Sequence, residues 1–308
     1  MHARVKLAHD DGEAMLWAVF TLIAAAAQTA RNAMQRELTA SLGTVGATHV
    51  RFLFGFPFAV MFLGGLVAIT GDQLPTPPPA FWPWVIGGAL GQIAATALML
   101  AAMGERSFVV AYAYIKTEPV QVALFGLIFL GDKLTALGAV AILVATVGVI
   151  VISLKPGAGS AGTRRSTLIG LGGGTMFALS AISYRGAILS LGLSDFVLAA
   201  TFTVTVGLVI QAVLLSAYLA LRDPGVLQAI ARAWRPSLFA GFMGAFASEF
   251  WFLAFAITTA ANVRTLALVE VLFAQGVTRF VFKQPTTRRE GVGIVLVVIG
   301  VALLVWAY

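Results

Sequence analysis

The chain has 308 residues, of which 59% are apolar and only 11% charged, and its mean hydropathy is +0.94. A soluble domain carries about 25% charged residues, and a water-soluble fold of this length cannot bury so much hydrocarbon, so the solvent is lipid. The lack of cysteine excludes disulfides, thiolate metal sites and cysteine nucleophiles, and His2, His9 and His49 are too scattered to form a metal cluster.

A hydrocarbon core about 30 Å thick takes roughly 20 apolar residues as helix. Ten stretches reach that length: 15–37, 45–70, 81–103, 107–130, 134–154, 166–190, 195–221, 235–257, 261–281 and 290–308. They are continuous rather than alternating, which selects helices over barrel strands. Residues 1–14 form a tail, and the first stretch is not expected to be a signal peptide, being too long and having no A-x-A-like cleavage site that is followed by a soluble domain. The segment 71–80, GDQLPTPPPA, is too rich in proline to be helical. Residues 155–165 link the first five spans to the last five. In 223–234, Asp223 is placed to cap and Pro224 suits a first helical turn, while Val226, Leu227, Ile230 and Trp234 share one side. This predicts a short helix at the membrane surface, with Arg232 and Arg235 toward headgroups.

The net charge is +7, yet nucleic acid is not the implied partner, because the basic residues sit at span ends where lipid headgroups and topology account for them. Most lie at the odd-numbered loops and adjoining helix ends, Arg31, Arg36, Arg51, Arg106, Arg232 and Arg289 among them. The termini and even-numbered loops hold Arg4, Lys6, Lys133, Arg185 and Arg264. Since cytoplasmic loops attract the excess, both termini are predicted outside the cytoplasm.

The chain repeats itself. Glu118, Thr135, Ala141, Gly148 and Val149 return 152 residues later as Glu270, Thr287, Gly293, Gly300 and Val301. Each copy has five spans, an odd number, so the copies enter the membrane from opposite sides. Inverted repeats with a site at their interface are a recurring plan of secondary transporters. The predicted fold is therefore an all-α integral membrane protein of ten transmembrane helices in two inverted five-helix repeats, 15–154 and 166–308.

In the first repeat stand Glu118-Pro119, Leu130-Gly131-Asp132-Lys133-Leu134-Thr135 and Gly148-Val149. This pattern resembles the EamA domain of the drug/metabolite transporter superfamily, with Asp132 in place of the usual Glu. In the second repeat Glu270 is followed by Val271, and Lys283-Gln284 stands where the Gly-Glu element belongs. The chain as a whole is most similar to YddG-type bacterial amino-acid exporters. That resemblance implies a multi-pass protein of the bacterial inner membrane exporting aromatic and other neutral amino acids.

Ionisable groups at bilayer depth cost about 3 kcal/mol or more, so they face a cavity or a partner. The candidates for substrate binding are Gln28, Asn32, Tyr112, Tyr114, Lys116, Tyr184 and Trp251, and those for proton or ion coupling are Glu118, Glu249 and Glu270. Glu118 follows Tyr114 by four residues, on one helix face, and Pro119 kinks the fourth span. Glu118 is either a ligand for a substrate amine or proton, or a structural group at the kink. Lys116 lies about 200° around the helix from Glu118 and needs another acid, Glu249 or Glu270. Glu249 has no basic neighbour in sequence, and burial then favours its neutral form, as proton coupling or a hydrogen-bonded acid would use. The tyrosines and Trp251 combine apolar faces with polar edges, suited to an aromatic ligand or to plain packing. Gln28 and Asn32, one turn apart, serve either a ligand or helix contacts. The glycines at 170, 172, 173 and 174 follow no strand, so they indicate close helix packing rather than a phosphate loop. No catalytic group, metal or cofactor is called for, and without a nucleotide motif transport is facilitated or ion-coupled. The reading is a small-molecule transporter in lipid, its site between spans 1–4 and 6–9 and spans 5 and 10 peripheral. A different metabolite or a drug as cargo, an intramembrane enzyme and a channel are the rivals.

Overall fold

The computed structural model describes residues 2–103, 108–153, 164–280 and 287–307. Most of the predicted 155–165 linker, Arg106 and Lys283-Gln284 lie outside them. The described elements are α1 (His2–Leu53), α2 (Phe56–Thr70), α3 (Phe81–Met103), α4 (Phe108–Ile115), α5 (Glu118–Phe125) and α6 (Ala136–Ser153) in the first half. The second half holds α7 (Arg164–Ser190), α8 (Phe196–Arg222), α9 (Pro224–Arg232), α10 (Trp234–Ile257), α11 (Ala260–Leu266), α12 (Glu270–Phe280) and α13 (Arg288–Trp306).

These elements make the ten expected spans. The first and second share α1, because the chain reverses at Gly43 (φ 68°, ψ 175°) with no intervening loop. The reversal is visible in one bond. Gln35 Nε2 donates to Ala47 O at 2.9 Å, whereas a straight helix would hold residues twelve apart about 18 Å from each other. The predicted gap between 37 and 45 is thus helical except at one glycine, whose backbone lies in a region other residues avoid. The second span breaks again at Gly55, just before Pro57, and continues as α2. The fourth span breaks between α4 and α5 and ends in a π-helical turn, Gly126–Leu130. The ninth changes to a 3-10 turn, Ala267–Val269, between α11 and α12.

Packing between the halves follows the repeat. The fifth and tenth spans lie against each other, as do the fourth and ninth, and the second and seventh. The third packs on the sixth and the first on the eighth, which are the same contact seen from each repeat. The contact of the fifth and tenth spans fixes the relative sense of the copies. A Cβ at Gly293 would meet Ile152, one at Gly148 would lie 2.7 Å from Val297 N, and one at Gly300 would lie 2.6 Å from Ala145 N. Numbers rise along one helix as they fall along the other. Equivalent spans running antiparallel mean inverted repeats.

Outward faces carry Ile128, Leu143, Val213 and Val295, more than half exposed, as lipid contact requires. The hydroxyls of Thr21, Thr203 and Thr265 each donate to the carbonyl four residues back, so these polar groups are satisfied within their own helix. The surface helix is present as α9, with Ile230 buried. Two details of its prediction are corrected. Asp223 makes no side-chain cap; its carbonyl takes Val226 N instead. Trp234 is half-exposed and lies under the Arg235 guanidinium rather than on the buried side, because the chain turns into α10 there.

Candidate functional site

Glu118 and Glu270, equivalent in the two repeats, line the same small buried cavity. The fourth span positions the first. Pro119 lacks the N–H that would bond Ile115 O, and the helix stops at Ile115, turns through Lys116-Thr117 and restarts at Glu118. Thr117 Oγ1 closes the break by donating to Tyr114 O at 2.7 Å. The shared face expected of Tyr114 and Glu118 is lost at this break. Tyr114 Cβ lies against Gly170 of the sixth span, while Glu118 turns to the ninth.

Each glutamate is met from the opposite repeat. Arg264 Nε lies 3.0 Å from Glu118 Oε1, off the N–H axis, so the contact is an ion pair rather than an aligned hydrogen bond. Glu270 pairs with Lys116 and accepts from Tyr112 OH at 3.4 Å and Gln28 Nε2 at 3.4 Å. Tyr112 and Arg264 are themselves 152 residues apart. The same cross-repeat contact is therefore made twice, once with a phenol and once with a guanidinium. Lys116 and Glu118 do not pair with each other, and of the two acids open to Lys116 the structure selects Glu270.

Aromatic rings complete this cluster. Trp251 Nε1 donates to Gln28 Oε1 at 3.3 Å. The Arg264 guanidinium lies 4.8 Å from the Trp251 ring centre and 5.6 Å from that of Phe255, and Lys116 Nζ lies 5.0 Å from that of Tyr112. Gln28, Lys116, Glu118, Arg264 and Glu270 line a cavity of about 20 Å³, room for about one water. A solute needs several hundred Å³, so the described conformation is closed at this level. A second cavity, of about 130 Å³, lies on the side of the termini between Asp132, Lys133, Thr259 and Asn262. Near it Arg185 donates to Phe255 O and Thr258 O and pairs with Asp132, tying the sixth span to the ends of the fourth and eighth.

The other candidates lie apart. Glu249 accepts from Thr201 Oγ1 at 2.5 Å and pairs with no cation among the described residues. Asn32 Oδ1 accepts from Arg31 Nη2 at 2.7 Å. Tyr184 is 1% exposed, set between Gly88 and Gly207 and tilted against Phe252, as a packing residue is. The glycines of the third and sixth spans serve close approach, as at Gly170, where a Cβ would lie 2.4 Å from Ala111 O. Among the described residues no three histidine or acidic side chains converge on a metal position.

Two placements are sharper than the sequence reading. Arg264, a charge inside the ninth span that also counts with the outer helix ends, faces Glu118; its alignment with Tyr112 in the repeat is the signal for that partner. Arg31 and Arg51 were counted at loop ends, yet each is 1% exposed. They lie well inside because the hairpin at Gly43 continues both spans beyond them.

Residues 15–154 match the EamA-like transporter family. No curated protein matches the sequence. A solved crystal structure of a protein overlays on this fold with a TM-score of 0.70 at 14% identity, over 95% of each chain.

Proposed function

We propose that this chain, whose residues 15–154 match the EamA-like transporter family, exports small amphipathic metabolites, above all aromatic and other neutral amino acids, by alternating access. The family is one of transporters rather than enzymes, so the solute passes unchanged. The observation that carries the reading is the pair of crossed contacts, Arg264 with Glu118 and Tyr112 with Glu270. They place ionisable groups of both inverted repeats on the seam, where rocking one repeat against the other exposes a site to alternate sides. Gln28, Lys116 and Trp251 belong to that site, with Glu118 and Glu270 as exchangeable partners for a substrate amine. Glu249, held by a hydroxyl and no cation, is the group to carry a coupled proton. Asn32, Tyr114 and Tyr184 take supporting places around it.

The repeat units are 15–154 and 166–308, joined by 155–165. The chain sits in a bacterial inner membrane with both termini outside the cytoplasm. Removing Arg31 and Arg51 from the odd-numbered loop charges still leaves Arg36, Arg106, Lys155, Arg164, Arg165, Arg222, Arg232, Arg235, Arg279, Lys283, Arg288 and Arg289 on the opposite side, which supports that orientation.

The test is flux in liposomes carrying the purified protein. Labelled phenylalanine is expected to exchange against unlabelled phenylalanine, and exchange is expected to fall at least tenfold in Glu270→Gln. No exchange of any amino acid, beside transport of another metabolite, would overturn the cargo and leave the transporter assignment standing.

A further inference from the structure

We propose that Arg31 and Arg51 form an oxyanion-binding end of the solute site, taking the carboxylate, phosphate or sulfonate of the transported molecule. The inference rests on the transport reading above and adds the charge of the cargo.

Lys116, Arg185 and Arg264 each have a carboxylate partner. Arg31 and Arg51 have none among the described residues, although each is only 1% exposed. Arg31 Nη2 bonds Asn32, and its Nε and Nη1 bond nothing. Arg51 makes two long bonds to neutral hydroxyls, Thr96 and Ser248, both at 3.3 Å, and its Nε is also unpartnered. Buried guanidinium N–H groups left without acceptors are costly, and the cost is doubled here. The two side chains converge. A Cβ at Gly244 would lie 3.0 Å from Arg51 Cγ and 3.4 Å from Arg31 Cδ, so both stems pass against the same glycine. Arg31, Arg51 and Arg264 also lie within electrostatic reach of one another. Converging cations with free donors are the arrangement that binds an oxyanion, and the planar guanidinium matches its geometry.

The location connects this pair to the glutamate cluster. Arg31 follows Gln28, which touches Glu270, by three residues, about 4.5 Å of helix rise. A solute with an anionic head at Arg31 and Arg51 therefore extends its other end toward Trp251 and the glutamates. Binding supplies the missing acceptors, so the anion is favoured over a neutral isostere by relief of a standing electrostatic cost as well as by attraction.

The experiment measures thermal stability of the full chain in detergent micelles at constant ionic strength. The probes are L-phenylalanine, L-phenylalaninamide and inorganic phosphate, in parallel with phenylalanine exchange in liposomes. An acid or phosphate is expected to raise the melting temperature where the amide does not. Arg31→Gln and Arg51→Gln are each expected to weaken that anion about tenfold or more, as loss of a charge-assisted bond implies, and to raise stability without ligand, since an unpaired buried charge is removed. Stabilisation by phosphate alone, lost in both variants, keeps the inference and removes the amino-acid cargo. Phenylalanine exchange with equal affinity for acid and amide, or with both Gln variants unchanged, overturns the inference and leaves transport intact. Silence of every anion in the stability assay also overturns it. If neither Gln variant folds, the acid-to-amide ratio of the unaltered chain decides alone.

Discussion

Arg264 and Glu118 bring a guanidinium and a carboxylate together in a place neither would occupy alone. Breaking a buried pair by removing one partner costs about 3–5 kcal/mol, whereas replacing both by apolar groups is close to neutral. Glu118→Gln is therefore expected to lower the melting temperature sharply, and Glu118→Leu with Arg264→Met to recover most of the loss. A double variant as unstable as the single one would show that other contacts hold the break in the fourth span. Glu249 behaves differently, because its partner is the Thr201 hydroxyl and a proton can come and go without stranding a cation. In Glu249→Gln, uptake driven by a pH gradient is expected to vanish while exchange at equal pH persists. Retention of gradient-driven uptake would remove Glu249 from coupling. Sequence alone identified these acids as expensive residues needing partners. It left Lys116 a choice between two glutamates, because the partners lie more than a hundred positions away and only the crossing of the repeats brings them together.

At the level of elements, glycine determines how closely helices approach and where one of them turns back. At Gly148 and Gly300 the added Cβ would strike backbone atoms of the facing helix at 2.7 and 2.6 Å, and backbone cannot rotate aside. Gly300→Val is expected to destabilise by about 1–3 kcal/mol through overpacking, read from thermal unfolding in micelles. Gly43 has open space around it and a backbone suited to glycine alone. Gly43→Ala is expected to cost a similar 1–3 kcal/mol from backbone strain, without any steric clash. A neutral result there would mean that the reversal tolerates another geometry. The ten spans were legible in the sequence because hydrocarbon thickness sets a length and the composition meets it. The turn between the first two spans was legible as the gap at 38–44, but its Ser, Thr and Gly residues signal a loop, whereas the helix runs through all of them except Gly43. For the same reason Arg31 and Arg51 count with the loop charges in the sequence although both are buried.

Across the whole molecule, the repeat offset and the odd span count were enough to give inversion, and the antiparallel fifth and tenth spans embody it. Orientation in the membrane follows from loop charge and can be checked directly, since a chain without cysteine accepts single reporters cleanly. Asp72→Cys is expected to react with an impermeant maleimide from outside intact cells, and Gln228→Cys only after the membrane is opened. The reverse pattern would turn the protein over without altering its fold. The tight reversal at Gly43 also has a mechanical consequence. With no slack between them, the first two spans are tied end to end, so on the transport reading proposed above Arg31 on one arm and Arg51 on the other are expected to shift together, which paired distance measurements between reporters on the two arms would check.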